Sequence, residues 1–201
     1  MSSGHPYHLT AYVPWLKDKC RNIYSQFGED GLIEACFNRY GETNQCCFEF
    51  GAGDGKTLSN TRHLLEHGWS GIWIEHHPPL YEALVRDKPS QVIAISETVT
   101  PENINRLLDP LPYDTDFGSI DVDGDDYWIW QAMTCVKPRI MLVEYSPYQQ
   151  DQSTLPERSE SRDAQAPLDP IVELGKKKGY ELLATTYCNC LFARSDLNDE
   201  T

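Results

Sequence analysis

The sequence predicts an α/β fold with a mostly parallel seven-stranded sheet, an antiparallel C-terminal hairpin and helices on both faces. From Tyr24 onward, short apolar runs that suit buried strands alternate with amphipathic segments that suit helices, as in sheets with helical crossovers. The last two apolar runs, residues 180–186 and 189–195, are too close together for a crossover helix. They are therefore expected to pair as a hairpin.

The first strands and helices follow from apolar periodicity and from the residues that end each segment. An amphipathic helix runs up to Gly41, and a strand then ends at Phe50. After a glycine-rich turn, a helix over residues 60–66 leads to a strand that ends at Glu75. Two prolines open the next helix, because proline fits the first turn of a helix.

The second half of the chain continues the alternation. A third strand over residues 91–98 precedes a helix for which Thr100 is the expected N-cap. A fourth strand ends at Asp121 and is followed by a short helix. The fifth strand, residues 138–147, is almost continuously apolar, which is typical of a strand buried on both faces. A helix over residues 168–178 then leads to the hairpin.

The length of 201 residues fits one domain with a substantial core. We assign residues 1–23 to an N-terminal extension, 24–195 to the domain and 196–201 to a tail. Within the domain, residues 146–167 form a long polar loop. Loops of this length are usually disordered or functional, so this one is either a disordered surface loop or a substrate lid.

The bulk composition excludes several classes of protein. A formal net charge of −14 disfavours contact with a nucleic-acid backbone, so we expect no nucleic-acid partner. No stretch reaches the roughly 20 apolar residues that span a bilayer, and no export signal is evident at the N-terminus. Seven cysteines, an odd number without CxxC pairs, indicate reduced thiols and a cytoplasmic location.

A glycine-rich turn follows the strand that ends at Phe50. Gly51, Gly53 and Gly55 alternate with other residues where a strand runs into a turn and then a helix. Such turns hold ligands because they offer backbone N–H groups and permit close approach. The GxGxxG spacing of dinucleotide-binding folds is not met, because position 56 is Lys56. The turn therefore indicates a cofactor site but weakens the case for a dinucleotide.

Three acidic residues at strand ends extend this pattern. Glu49 precedes the glycines, Glu75 ends the second strand and Asp121 ends the fourth. With the segments SQFGEDG, SNT..LLE.GW.G and VELGKKKGY, these residues make the chain resemble the class I S-adenosylmethionine (SAM)-dependent methyltransferases, and within them the FkbM-like family. The resemblance covers residues 24–195. It implies the Rossmann-like class I methyltransferase fold and SAM as the cofactor.

The resemblance also implies a set of cofactor-binding residues, and elementary chemistry supports several of them. Gly51 and Gly53 leave space for the amino acid and ribose parts of SAM. Glu75 suits a diol, because one carboxylate can accept hydrogen bonds from two hydroxyl groups. Ser96 and Glu97 lie at the end of the third strand, where they can meet the adenine edge. The full predicted set is Gln26, Asp30, Glu49, Gly51, Ala52, Gly53, Asn60, Glu75, Ser96, Glu97 and Asp121.

The segment DVDGDD places four carboxylates directly after the fourth strand. Three interpretations are open: a solvated turn in which Asp125 or Asp126 caps the next helix, a hard-cation site, and a catalytic site. A Mg²⁺ site would use Asp121, Asp123 and Glu144, which offer the oxygen ligands that this cation prefers. A catalytic site would use Asp121 and Glu144 to orient the acceptor or remove its proton.

The predicted function is SAM-dependent methyl transfer to a small molecule. The resemblance implies an oxygen of a small-molecule or sugar-type acceptor. Two alternatives are an NAD-dependent oxidoreductase, which shares the strand, glycine turn and ribose acid, and a non-catalytic cofactor-binding module. Tyr127, Trp128 and Tyr145 either line the acceptor site or pack in the core. A homodimer is the commonest oligomer and is the expected one if the chain associates.

Overall fold

The computed structural model describes residues 9, 11–158 and 165–198 of the chain. The strands are β1 (Ala11–Tyr12), β2 (Cys46–Phe50), β3 (Ser70–Ile74), β4 (Val92–Ile95), β5 (Phe117–Ile120), β6 (Ile140–Glu144), β7 (Tyr180–Thr185) and β8 (Asn189–Arg194). The helices are α1 (Glu29–Tyr40), α2 (Arg62–Glu66), α3 (Pro78–Asp87), α4 (Ile104–Leu107), α5 (Asp126–Ala132) and α6 (Leu168–Lys177). Short 3₁₀ helices cover Pro14–Leu16 and Ser195–Asn198.

All eight strands form one sheet in the order β1-β7-β8-β6-β5-β2-β3-β4. Strands β2 to β6 pair in parallel, whereas β8 runs antiparallel to both β6 and β7. The mostly parallel sheet and the C-terminal hairpin are therefore confirmed. The predicted number of seven strands is wrong, because β1 adds an eighth by pairing with β7 through Ala11 and Thr185. A strand of two residues is too short for sequence periodicity to reveal.

The side chains of β2 alternate between two hydrophobic cores, one on each face of the sheet. Phe48 and Phe50 belong to one core and Cys47 to the other, because successive side chains of a strand point to opposite faces. The helices α1, α2 and α3 bury apolar residues in the core that contains Cys47, whereas α4, α5 and α6 use the other core. Representative residues, in helix order, are Leu32, Leu65, Leu84, Ile104, Trp130 and Ile171. Helices thus cover both faces, as predicted.

Helix α4 begins later than the sequence predicts. Its N-cap position is Asn103, not Thr100. The carbonyl oxygen of Thr100 accepts a hydrogen bond from the Ile104 N–H at 3.1 Å, so residues 100–103 form a turn that leads into the helix. The side-chain oxygen of Asn103 accepts from the Thr100 N–H at 2.8 Å and stabilises this turn. The capping chemistry is present, but it closes a turn before the helix starts.

A buried ion pair fixes the amino end of the sheet. Arg139 Nη1 lies 3.2 Å from a carboxylate oxygen of Asp116, and both side chains are buried. The Asp116 carboxylate also accepts hydrogen bonds from the N–H groups of Thr43, Asn44 and Gln45 at 2.8 to 3.1 Å. Burial raises the pKa of Asp116, but these N–H groups outweigh it and bring the pKa below its usual value. These contacts therefore hold the amino ends of β5 and β6 in place.

The outer edge of β4 is covered by side chains from α3 and the segment after it. Lys88 Nζ donates to the carbonyl oxygen of Val92 at 2.7 Å, and Tyr81 donates to that of Ala94 at 3.4 Å. Carbonyl groups on the other side of the strand accept from β3 and its flanking residues. A second chain that paired along this edge would have to displace both side chains.

Candidate functional site

A cavity of about 1100 Å³ lies at the carboxyl ends of the parallel strands. Its wall contains the glycine turn, residues 74–77, residues 97–100, residues 121–125 and Arg158. Parallel sheets bind ligands at this edge, where the loops that follow the strands converge. A separate cleft of about 800 Å³ lies against α1 and contains none of the predicted cofactor residues. The predicted site therefore corresponds to the cavity at the carboxyl edge.

The two glycines at the cavity wall serve different physical needs. Gly51 has a φ of +65°, and a Cβ atom there would lie 1.9 Å from the carbonyl oxygen of Asp121. Glycine at position 51 is thus required by the close approach of two protein segments. Gly53 has a φ of +56°, and a Cβ atom there would meet no protein atom within 4 Å. Since Gly53 lines the cavity, its missing side chain leaves space for a ligand.

Glu75 is held in the cavity wall by two backbone hydrogen bonds. One carboxylate oxygen accepts from the Gly53 N–H at 2.9 Å, and the other accepts from the His77 N–H at 2.6 Å. The side chain is only 4% exposed, although it lines the cavity. Each carboxylate oxygen can accept a further hydrogen bond. The arrangement fits a ligand that presents two neighbouring hydroxyl groups.

Glu49 lies outside the cavity wall and supports the loop before α2. Its carboxylate accepts hydrogen bonds from Ser59 Oγ at 2.7 Å, the Asn60 N–H at 2.7 Å and Thr61 Oγ1 at 2.5 Å. Burial raises the pKa of Glu49, and these hydrogen bonds counteract the rise. Asn60 is also buried, and its amide donates to Ser119 Oγ at 3.2 Å. Both residues fix the loop that connects the glycine turn to α2.

The remaining predicted cofactor residues divide between the cavity and its surroundings. Glu97 lines the cavity and accepts hydrogen bonds from Asn103 at 3.0 Å and from Arg106. Ser96 is exposed beside it but does not contribute to the described wall. Ala52 is buried in a hydrophobic core.

The two residues predicted upstream of α1 also lie outside the described wall of the cavity. Gln26 is exposed, whereas Asp30 is buried. One oxygen of Asp30 accepts from the N–H groups of residues 23–25 at 2.7 to 2.8 Å and so shapes the upstream turn. The other oxygen, also buried, has no hydrogen-bond partner within the described part of the chain.

The carboxylates of Asp121, Asp123 and Glu144 converge, with one oxygen from each lying within 4.8 Å of the others. Burial, followed by the charge of Asp126, raises the pKa of Asp121 to about 7. Burial and the charge of Asp121 raise the pKa of Glu144 to about 10. The two side chains are hydrogen-bonded, so at neutral pH Glu144 retains its proton and donates to Asp121. Gln165 donates to Glu144 from the polar loop.

The loop between β5 and α5 is shaped by Asp126. Its carboxylate accepts from the N–H groups of Val122 at 2.8 Å and Gly124 at 3.0 Å. Asp123 adopts a left-handed backbone conformation within this loop, with a φ of 60°. Asp125 occupies the N-cap position of α5 but makes no side-chain capping bond. The capping interpretation is therefore wrong for Asp125, whereas Asp126 holds the loop that carries the carboxylates.

Arg158 brings the polar loop across the cavity. Its guanidinium group donates to Asp125 at 2.9 and 3.0 Å and to Glu102 at 2.8 Å. Asp125 and Glu102 belong to different loops, so Arg158 bridges them while lining the cavity. Residues 159–164 of the predicted lid lie outside the described residues.

Comparison with solved structures places this fold among SAM-dependent methyltransferases. A proposed caffeoyl-CoA O-methyltransferase from Staphylococcus aureus is 14% identical, with a TM-score of 0.58 over 86% of this chain and 85% of that one. Magnesium protoporphyrin IX methyltransferase from Synechocystis PCC 6803, with S-adenosylhomocysteine (SAH) bound, is 12% identical, with a TM-score of 0.53 over 83% and 82%. A TehB-like SAM-dependent methyltransferase from Corynebacterium glutamicum is 13% identical, with a TM-score of 0.51 over 89% and 92%.

No family model and no curated protein matches the sequence. The similarity to the solved structures shows that the chain has the Rossmann-like methyltransferase fold, as predicted.

The sequence did not single out several residues of the cavity wall. Arg158 lies in a polar loop without a recognisable motif, and no glycine follows the strand that precedes Thr98 and Thr100. Thr100 was predicted as a helix N-cap and not as a residue of the site. Tyr127 and Tyr145, which the sequence offered for the acceptor site, are buried at 8% and 5% exposure and pack in the core. Polar residues just after strand ends were the available signal for the threonines.

Proposed function

We propose that the protein transfers a methyl group from SAM to an oxygen of a small molecule, and that it belongs with the FkbM-like methyltransferases. The observation that carries the proposal is the cavity itself. Glu75 is fixed at one wall beside the open position of Gly53, and Asp121 lies near the same turn. Two solved structures with this fold contain SAM or SAH. Bound SAM would supply an electrophilic methyl group on a sulfonium.

The residues of the cavity can be assigned to the parts of SAM by their chemistry. Glu75 accepts hydrogen bonds from the ribose hydroxyl groups, because its two oxygens are held apart and fixed. Glu97 and the loop after it receive the adenine. The glycine turn would hold the amino acid end, with the upstream turn shaped by Asp30 as a further proposed contact. Glu49 and Asn60 act by positioning the turn, and the roles of Gln26, Ala52 and Ser96 remain predictions.

Asp121 is the proposed general base for the acceptor hydroxyl. Its pKa of about 7 lets a useful fraction ionise at neutral pH while keeping it basic enough to accept a proton. Glu144 remains protonated, and its hydrogen bond holds the Asp121 carboxylate in place. The main task of the chain is then to align the acceptor oxygen with the methyl carbon and to remove one proton.

A divalent cation is a second candidate occupant of the carboxylate cluster. The oxygens of Asp121, Asp123 and Glu144 lie close enough together to bind one ion jointly. Binding would require Glu144 to lose its proton and would lower the pKa of Asp121. Mg²⁺ is the ion predicted from the sequence, and its effect is measured in the same titration as SAM.

The proposed setting is a reducing compartment such as the cytoplasm. All seven cysteines lie in described segments and are free thiols. Among the described residues, no helix is both long and apolar enough to cross a membrane. The proposed partner is a small-molecule acceptor, and the net charge of −14 disfavours a nucleic acid.

Calorimetric titration with SAM and with NADH, each with and without Mg²⁺, tests the proposal. We expect SAM to bind in the micromolar range and NADH not to bind. Glu75→Gln should weaken SAM binding by about tenfold or more, because hydrogen bonds to a charged acceptor are lost. Glu82→Gln, a change of an exposed glutamate on α3, is the matched control. Binding of NADH alone would instead support the oxidoreductase.

A panel of hydroxylated acceptors then separates an enzyme from a binding module. We expect transfer of a labelled methyl group to an oxygen in at least one acceptor class. Tight SAM binding without turnover across a wide panel would support the non-catalytic module. Failure to bind SAM at all would refute the proposed function.

A further inference from the structure

Three aromatic side chains lie next to one another at the carboxyl edge of the sheet; Tyr148 and Tyr187 are exposed, and Phe27 is half-buried. The rings of Phe27 and Tyr187 lie 5.1 Å apart, and those of Tyr148 and Tyr187 lie 6.0 Å apart. The two tyrosine hydroxyl groups are hydrogen-bonded at 3.1 Å. Tyr148 is 79% exposed and Tyr187 is 44% exposed. We refer to Phe27, Tyr148 and Tyr187 as the aromatic platform.

A buried carboxylate links the two chain segments that carry Phe27 and Tyr187. Glu29 accepts from the Phe27 N–H at 2.7 Å through one oxygen. Its other oxygen accepts from Thr186 Oγ1 at 2.7 Å and from the Asn189 side-chain amide at 3.1 Å. Thr186 directly precedes Tyr187, so the turn before α1 and the β7–β8 turn are tied together. The exposed rings are thus preorganised, which lowers the entropy cost of binding a ligand.

The platform adjoins the carboxylate cluster. Glu144 at the end of β6 is the register partner of Asn189, the first residue of β8 after the turn that carries Tyr187. The N–H of Tyr145 donates to the carbonyl oxygen of Cys188 at 2.7 Å. Burial raises the pKa of the Cys188 thiol, and the charges of Glu144 and Asp121 raise it further. The turn that contains Cys188 therefore lies close to the carboxylate cluster. An exposed apolar surface and an anionic cluster therefore share one edge.

We propose that the aromatic platform binds the methyl acceptor, and that the acceptor is a hydroxylated ring compound carrying a protonated amine, such as an amino sugar. The inference rests on the proposed function and adds a substrate class to it. The apolar face of a saturated ring packs on tyrosine rings, and its ammonium group complements the carboxylates. Exposed aromatic patches on soluble proteins commonly mark binding sites. Acceptors that carry a carboxylate or phosphate would be repelled by the cluster.

Three sugars of the same ring size isolate the role of the charge. Glucosamine, glucose and glucuronate are titrated by NMR into the protein with SAH and EDTA present. We expect glucosamine to bind at least about tenfold more tightly than glucose, because hydrogen bonds to charged groups are stronger. Glucuronate should bind more weakly than glucose. Equal binding of the three sugars, or no saturable binding of glucosamine, would overturn the inference.

Substitutions in the platform test the surface itself. Tyr187→Leu and Tyr148→Leu should each weaken glucosamine binding by about fivefold or more and leave SAH binding unchanged. Tyr113→Leu is the matched control, because Tyr113 is 60% exposed and lies outside the described cavity wall. Unchanged glucosamine binding in both platform variants would overturn the inference.

Two further outcomes distinguish the inference from metal binding at the cluster and from the proposed function. If glucosamine binds only when Mg²⁺ is present, a metal rather than the ammonium occupies the carboxylates and the inference is overturned. If the sugars keep the expected ranking in a protein that fails to bind SAH, the platform is supported as a binding surface. In that case only the proposed function would be refuted.

Discussion

Replacing Asp121 by asparagine should stabilise the protein at alkaline pH. Asp121 is hydrogen-bonded to Glu144 and lies near the charges of Asp126 and Asp123. Burial and these charges make ionisation of Asp121 unfavourable in the folded protein. Asparagine has nearly the same shape and can remain hydrogen-bonded to Glu144, but it carries no charge. The variant therefore removes an electrostatic cost without opening a cavity.

The size and pH range of the effect follow from the shift of the Asp121 pKa. A rise from 3.8 to about 7 corresponds to about 4 kcal/mol once the carboxyl is ionised in both states. The partial exposure of Asp121 and its coupling to Glu144 reduce the expected difference to ~1–2 kcal/mol. Because the folded pKa is the higher one, the cost is absent below about pH 4 and grows as pH rises through 7.

The difference in the free energy of unfolding between the wild-type and Asp121→Asn proteins is measured by urea unfolding at several pH values, from about pH 4.5 to about pH 8.5. Asp109→Asn is the matched control, because Asp109 is exposed and lies outside the described cavity wall. We expect the free energies of unfolding to diverge with rising pH for Asp121→Asn only. A variant that is less stable than wild type at pH 8.5 would refute the reasoning, since it would mean that the Asp121 carboxylate has a stabilising partner.

Four other substitutions have expected outcomes. Glu49→Gln should lower the free energy of unfolding in urea by about 2–4 kcal/mol, because three donors converge on its carboxylate. Asp116→Asn should cost about 3–5 kcal/mol by leaving Arg139 buried and unpaired, while the Kd for SAM stays unchanged. Gly53→Ala should weaken SAM binding with a stability loss of about 1 kcal/mol, whereas Gly51→Ala should lose more stability because it clashes with backbone. Equal stability losses for the two alanines would contradict the distinction.

The fold was predictable because the strands of this sheet are long enough to show their pattern. Phe48 and Phe50 point to one face and Cys47 to the other, and both faces are apolar, as expected for a buried parallel strand. The eighth strand escaped prediction because β1 spans only two residues and depends on its partner β7. The start of α4 was misplaced because Thr100 and Asn103 both offer capping chemistry, and only tertiary packing selects between them.

Position in the chain identified the strand-end acids but not their roles. Glu75 and Asp121, which the resemblance to SAM-dependent methyltransferases singled out, line the cavity because they follow parallel strands at the carboxyl edge of the sheet. Glu49 was predicted in the same way, but its carboxylate accepts hydrogen bonds from residues 59–61 and supports the loop before α2 instead of lining the cavity. The contact between Tyr148 and Tyr187 joins a long loop to a hairpin turn. Such contacts depend on three-dimensional folding and leave no periodic pattern.

The two ends of the sheet differ in how well their charges are satisfied. At the amino end, Asp116 has a cationic partner and several N–H donors, and its pKa lies below the usual value. At the carboxyl end, Asp121 and Glu144 face each other, and the pKa of each is raised. An arrangement that costs stability is retained where it serves a ligand. A cation bound at this end would lower the cost, because it would stabilise the ionised forms of Asp121 and Glu144. The positive charge that we propose for the acceptor follows from this difference between the two ends of the sheet.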